Sequence, residues 1–293
     1  MSIAPAPFTF ADLDPAGGEP ELGDAEAVRT HRKDHLALGY RILGALGWGS
    51  LGDGHISARD PLRPDCFWMA RYGVPFKFVE VDDLVLVGPD GTLIAGSGYI
   101  NRAAYYIHWP LHDARTDVVS AVHCHTPYGT PFSALVTPLL PISQESCAFF
   151  EDHTVFDDEE VAIGSVEGGK RIAAALGERR AIILRNHGLL TTGSSVESAV
   201  GLFALMERCA EVQVKSSGVA GGPRPIGAEA ASRTHDGFTD TAVGHVFEWM
   251  HRTYLPGVDV ISPEDQRSPR AGDPAAASVR SPSSRLAPAR NVS

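Results

Sequence analysis

The 293-residue chain is poor in cysteine, short of positive charge and without a long apolar run. Its four cysteines, Cys66, Cys124, Cys147 and Cys209, stand at wide, unpatterned spacings. That excludes a Cys-x-x-Cys zinc knuckle, argues against a disulfide framework and fits reduced thiols in a cytoplasmic protein. Lys and Arg number 25 against 36 Asp and Glu, a formal net charge of -11. With no general basic field to grip phosphate backbones, nucleic acid is not an expected partner, and an anionic substrate needs a local cationic pocket or a metal. No segment approaches the roughly 18 consecutive apolar residues of a membrane span, and MSIAPAPFTFADLDPAGGEPELGD has neither the cationic start nor the apolar stretch of a secretory signal. The expectation is a cytoplasmic protein with no membrane partner.

What is present reads as one folded domain with two weak ends. Residues 1–23, rich in Pro, Gly, Ala and acid, predict a flexible arm, and the low-complexity residues 262–293 predict a disordered tail that has little to bury. Between them, residues 24–261 carry the core. Leu36, Leu38, Tyr40, Ile42, Leu43 and Leu46 follow a helical period that stops at Gly47 and Gly49. Short β-rich pieces follow (GHISAR, CFWMAR, LVLVGPDG, TLIAG), with Pro-Asp-Gly at 89–91 as a turn between two strands. Helices are expected over 101–114, 127–135, 168–176, 196–215 and 239–254, and buried strands over 118–124 and 181–184. Strands and helices mix without a strict βαβ rhythm, which predicts a three-layer α/β/α domain with a central, mainly antiparallel sheet.

The chemistry concentrates at two places. VVSAVHCHTPYG puts His123 and His125 two residues apart at the end of an apolar strand, so both leave the same face and can converge on one ion. AIILRNHGLLTTG supplies a second buried strand followed by a polar turn holding His187, the candidate third ligand. Each alone has an ordinary explanation: His-x-His as a packing pair, Asn-His-Gly as a turn. Three neutral imidazoles together suit Zn, Fe, Ni or Cu and leave positions open for substrate and water, unlike a four-ligand structural zinc site.

In order and spacing, GWGSLGDGHISAR, IHWPLHDARTDVVSAVHCHTPYGTPFSAL and AIILRNHGLLTTG resemble the glycine-serine loop, His-x-His strand and Asn-His-Gly turn of the class II aldolase/adducin family, over residues 28–217. The resemblance implies an α/β/α fold, a homotetramer with active sites at subunit contacts, and a divalent metal on His123, His125 and His187. It also exposes departures. The family's sugar-phosphate aldolases carry Pro-Ser-Ser-Glu, whose Glu lies four residues before a helical His. Here that His is His108 and the Glu position is Ala104, preceded by Asn101, Arg102 and Ala103. Alanine cannot move a proton. The family's Gly-Asn-x-Ser loop becomes Gly54-His55-Ile56-Ser57. Both changes argue against a phosphorylated sugar substrate.

A metal site without that carboxylate can still chelate a 2-oxo or 2-hydroxy acid and, as Fe(II), use O2. In this the chain is similar to a branch of the family, the bifunctional non-haem iron oxygenases of aminocoumarin antibiotic pathways, which convert a prenylated 4-hydroxyphenylpyruvate to the mandelate and then the benzoate. The resemblance thus implies Fe(II), with Zn as alternative, and as partners an aromatic 2-oxo or 2-hydroxy acid and O2. The substrate-side candidates are His55, Ser57, Asn101, Tyr105, Trp109 and Gln144; no catalytic group beyond the metal ligands is assigned. Tyr99, Tyr105, Tyr106 and Trp109 form an aromatic cluster open to two readings, a wall for a prenyl-aryl group or ordinary core. Arg59 can hold a substrate carboxylate or form a structural ion pair; His112, one turn after His108, needs no second ion. Glu145, Glu151 and His153 read equally as loop groups. The competing functions are a Zn-dependent lyase or decarboxylase for an unphosphorylated hydroxy-carbonyl compound and a metal-free, adducin-like interaction module.

Overall fold

A computed structural model describes residues 18–258; the expected 262–293 tail and most of the expected 1–23 arm lie outside the described residues. Within the arm's described end, Glu19 is gripped by the Arg32 guanidinium.

Eight strands form one sheet in the order β4-β3-β2-β1-β5-β8-β7-β6. They are β1 (Gly54–Arg59), β2 (Phe67–Ala70), β3 (Leu84–Val87), β4 (Leu93–Ala95), β5 (Ser120–Cys124), β6 (His153–Phe156), β7 (Ala181–Leu184) and β8 (Gly188–Gly193). Every neighbouring pair is antiparallel except β6 with β7, so the expected mainly antiparallel sheet is what the chain forms.

Helices cover both faces. On one lie α1 (Ala25–Ala45), α5 (Val196–Ser217) and α7 (Asp240–Tyr254); on the other lie α2 (Arg102–Ala114) and α4 (Val166–Leu176). A short α3 (Gly129–Ser133) follows β5, and α6 (Ala228–His235) packs near residues 145–149. Period-two alternation decides which core each strand residue joins. Ile56 and Ala58 of β1 and Val122 and Cys124 of β5 enter the core under α1, α5 and α7. Ala121 of β5 and Leu190 of β8 face α2 and α4, with Ile107, Leu111, Ile172 and Leu176. His55, Ser57, Arg59 and His123, being out of phase with the first set, fall on the α2 side.

Two glycines set how closely helices approach. A Cβ on Gly169 would stand 1.8 Å from the Tyr106 carbonyl, joining α4 to α2, and one on Gly201 would stand 2.0 Å from the Val243 carbonyl, joining α5 to α7. Helix starts follow side-chain capping: Asp24 accepts from Ala27 N for α1, Asn101 from Ala103 N and Ala104 N for α2, and Ser195 pairs with Ser198 in a capping box for α5. All four cysteines are buried and unpaired. Among the described residues no helix is long and apolar enough to cross a membrane.

Candidate metal centre

β5 delivers His123 from its buried interior and His125 one step past its end, where the His125 N–H donates to the Asp53 carbonyl. His187 stands in the turn between β7 and β8, next to Asn186, which holds a left-handed conformation (φ 53°) that asparagine tolerates better than most residues. Antiparallel pairing of β5 with β8 sets Leu189 opposite Cys124, bringing the turn to the end of β5. The ring centroids of the three histidines stand 4.6–5.2 Å apart, and their ligand nitrogens all lie within 4.8 Å of one another.

The donor chemistry fits a divalent ion. His123 Nδ1–H donates to the Leu189 carbonyl at 2.8 Å, leaving Nε2 with its lone pair, as ligating histidines ordinarily do. Burial, followed by the neighbouring imidazoles, pushes His123 well below the usual imidazole range, and burial with His125 takes His187 down to about 4. Both are therefore neutral and ligand-competent near pH 7. Among the described residues no carboxylate or thiol joins the three within that distance, so a bound ion would keep open positions.

Beside the triad runs a buried hydrogen-bonded chain. The Arg59 guanidinium donates to the carbonyls of Val118, His112 and Arg115, and its Nη2 stands 3.3 Å from His112 Nδ1. His112 Nε2 pairs with Ser57 Oγ at 2.8 Å, Ser57 Oγ with His108 Nδ1 at 2.5 Å, and His108 Nε2 with His55 Nδ1 at 2.5 Å. Its ring lies 4.8 Å from that of His123. All three imidazoles of the chain are held neutral, chiefly by burial, with His112 lowered to about 3.

His55 also lines a cleft of about 250 Å³, with Asn101 on its wall. The other sequence candidates are placed elsewhere. Ser57 is fully buried between His108 and His112 rather than exposed to a ligand. Tyr105 packs with Phe67, Met69, Val85 and Ala104, its hydroxyl donating to the Pro89 carbonyl. Trp109 lines a different pocket, with Arg59, His112 and Asp113. Gln144 is exposed at the start of a 3₁₀ turn and does not line the cleft. The residues that sequence reasoning missed are the cleft's apolar wall, Met69, Tyr72, Val74 and Phe76, and its cation, Arg71. Most sit on an irregular segment whose sequence carries no periodic signal. Arg71 is held by Asp83 at 2.8 Å. Arg59 is held by backbone carbonyls and His112, and among the described residues it makes neither the structural ion pair nor a carboxylate contact. His153 is a loop support: its Nε2 accepts from Leu139 N, and its Nδ1–H donates to the Phe149 carbonyl.

A mainly antiparallel sheet between two helix layers, presenting three converging imidazoles that could hold one ion where two strands end, is an arrangement of aldolase type. The chain belongs to the class II aldolase and adducin family: the family's "Class II Aldolase and Adducin N-terminal domain" matches residues 34–214. It is 39% identical over 208 residues to the "4-hydroxy-3-prenylphenylpyruvate oxygenase/4-hydroxy-3-prenylbenzoate synthase" of Streptomyces roseochromogenus subsp. oscitans, covering 70% of this chain and 75% of that one. It is 38% identical to the "Decarboxylase NovR" of Streptomyces niveus, covering 74% and 81%. It is 34% identical to the "Meiotically up-regulated gene 14 protein" of Schizosaccharomyces pombe, covering 67% and 77%. Among solved structures, an L-fuculose 1-phosphate aldolase from Glaciozyma antarctica PI12 superposes with a TM-score of 0.72 at 33% identity, covering 81% of this chain and 96% of that one.

Proposed function

We propose that this chain is a non-haem Fe(II)-dependent oxygenase that oxidatively decarboxylates an aromatic 2-oxo acid. The observation that carries the reading is a three-imidazole centre in which the aldolase acid/base position is filled by the buried methyl of Ala104, packed among Phe67, Met69 and Val85. A retro-aldol reaction needs a group there to move a proton; an oxygen-dependent cleavage places that demand on the metal. Ferrous iron held by His123, His125 and His187 would supply the electrons for O2 activation. The printed names of the two Streptomyces relatives support the substrate class.

Both turnovers balance. An arylpyruvate and O2 give an arylglycolate (mandelate) and CO2; the mandelate and a second O2 give the benzoate, CO2 and water. The chain's own residues have definable parts. His55, its Nδ1 engaged by His108, offers its Nε2 to a substrate atom. Arg71 supplies positive charge for a carboxylate or phenolate. Phe76, Val74 and Met69 supply the apolar wall for an aryl or prenyl group. Exposed Leu51 and Tyr72 on the cleft, and exposed Tyr99, whose carbonyl accepts from Tyr72 N, fit coverage by a neighbouring subunit in a homotetramer.

The test is O2 uptake by anaerobically iron-loaded protein given 4-hydroxyphenylpyruvate and its 3-prenyl derivative. Uptake with matching CO2 release supports the reading, and no uptake with either acid overturns it. The second reading, a Zn-dependent lyase, draws on the 33%-identical aldolase structure. It requires turnover of a hydroxy-carbonyl substrate by the zinc-loaded protein without O2. The convergence of all three histidines counts against a metal-free interaction module.

A further inference from the structure

A second set of metal-ligating groups lies in the opposite helix layer. His31 and His35, one turn apart on α1, stack at 3.9 Å between ring centroids and face Glu197 in the first turn of α5. All three residues are buried, with relative exposures of 4%, 8% and 4%. One ligand atom from each lies within 4.8 Å of the other two.

Hydrogen bonding inside the protein leaves this cluster incomplete. His35 Nδ1 faces the His31 carbonyl at 3.0 Å, and since a carbonyl only accepts, Nδ1 carries the proton. In neutral His35 the Nε2 lone pair is then aimed at Glu197 Oε1, 3.5 Å away, so two acceptors confront each other. His31 Nε2 contacts the same oxygen at 2.7 Å. Glu197 Oε2 and His31 Nδ1 are buried with no hydrogen-bond partner, as is Oδ2 of the adjacent Asp34. Buried polar atoms left in that condition are costly and uncommon. A cation at the centre of the cluster relieves the confrontation of acceptors at Glu197. It takes the His35 lone pair and the carboxylate, and His31 can ligate through Nε2 by moving its proton to the unpartnered Nδ1. Donation of the second ring N–H to a backbone carbonyl is the usual support of a ligating histidine, and His35 repeats here what His123 shows at the first centre. For a tetrahedral ion with bonds of about 2.0 Å, ligand atoms stand roughly 3.3 Å apart, and the two separations of 2.7 and 3.5 Å bracket that value.

We propose that His31, His35 and Glu197 form a second site for a zinc-type divalent cation, one that joins α1 to the start of α5. Two imidazoles and a carboxylate are a ligand set such ions accept. The site is independent of the reaction assigned to the first centre.

The experiment counts metal. Full-length protein is stripped with chelator, reloaded with zinc, desalted and assayed for zinc per chain, alongside a His123→Ala/His125→Ala/His187→Ala variant. Two equivalents are expected in the wild type and one in the triple variant. Adding Glu197→Gln, which keeps the shape of the side chain, or His35→Ala to the triple variant is expected to remove the remaining equivalent. It is also expected to abolish the zinc-induced rise in its thermal midpoint. Circular dichroism shows whether each variant is folded, and Glu197→Gln decides the matter if His35→Ala is not. A folded triple variant with no zinc overturns the proposal, as does a remaining equivalent that survives both substitutions. A failed oxygen assay leaves these counts unaffected.

Discussion

Ser57 shows how much one hydroxyl can organise. It is fully buried, and its single proton and its lone pairs join His108 to His112. Because a hydroxyl carries one proton, it links the tautomers of His112 and His108, and through His108 that of His55. Ser57→Ala leaves His108 Nδ1 and His112 Nε2 facing a methyl group, and a buried polar group stripped of its partner costs about 1–3 kcal/mol. The expected result is a lower urea midpoint at unchanged slope. Ser57 touches none of the three metal ligands, so metal content should stay at the wild-type level while kcat/KM for the 2-oxo acid falls through loss of the ordered His108–His55 pair. Loss of metal in Ser57→Ala would show that the chain supports the centre itself and not the substrate. The neighbouring residue-scale reading, of Ser57 as a direct substrate contact, fails for a simple reason. The Gly54-His55-Ile56-Ser57 sequence gives the phase of the strand, and both His55 and Ser57 share a face, but only the depth of burial along the strand separates the one that reaches the cleft from the one that does not.

At the scale of elements, legibility followed periodicity. The His-x-His pair could be read because a strand returns to the same face every second residue, and α1, α5 and α7 because their apolar residues keep a helical period. Three elements lacked such a signal. In β6 all four residues are only half-buried. In α6, Ala228–His235, the buried residue is Ala231 alone. In β8, Gly-Leu-Leu-Thr-Thr-Gly is buried throughout and polar at its centre, so no alternation marks it. Long-range pairing brings these segments into place, as it brings Glu197 to His31 across 166 positions. The α2–α4 contact is also an affair of whole elements, since α2 carries His108 and His112 and is pressed against α4 at Gly169. Gly169→Ala would gain a little helix propensity, about 1 kcal/mol, but must push the Tyr106 carbonyl away from a position 1.8 Å from the new methyl. A net loss of about 1–3 kcal/mol is expected. That corresponds to roughly 2–12 °C in the thermal midpoint at about 2–4 °C per kcal/mol for a domain of this size. Substitution of Gly164, which has open space around its Cβ position apart from an Ala162 carbonyl at 3.9 Å, serves as the control and should change little. Equal midpoints for the two variants would mean that the helices can part without cost.

For the molecule as a whole, the sheet gathers an unusual number of uncharged imidazoles into its interior, and this sets how the fold responds to acid. His112 is lowered from the ordinary 6.5 to about 3 and His187 to about 4, in both cases chiefly by burial. The sign follows from where protons bind. Below about pH 6.5 the unfolded chain takes up protons on these rings that the folded chain refuses, so stability is greatest above that pH. It falls as pH drops, and the fall levels off only near the folded values. Each such histidine contributes a slope of about 1.4 kcal/mol per pH unit across its window. The formal charge of -11 acts in the opposite direction, because acid titrates carboxylates and relieves self-repulsion, so an acid-side loss cannot be assigned to overall charge. The expected outcome for chelator-treated protein is a thermal midpoint that declines steadily from pH 6.5 to pH 4. His112→Gln should start lower, having lost the bonds to Ser57 and Arg59, yet decline less steeply by about one proton's worth of slope. Zinc-loaded protein should decline more steeply than either, since protonation of the ligands also releases the ion. Urea titrations at half-unit pH intervals measure the slopes directly, and parallel curves for wild type and His112→Gln would show that His112 does not stay neutral in the folded protein.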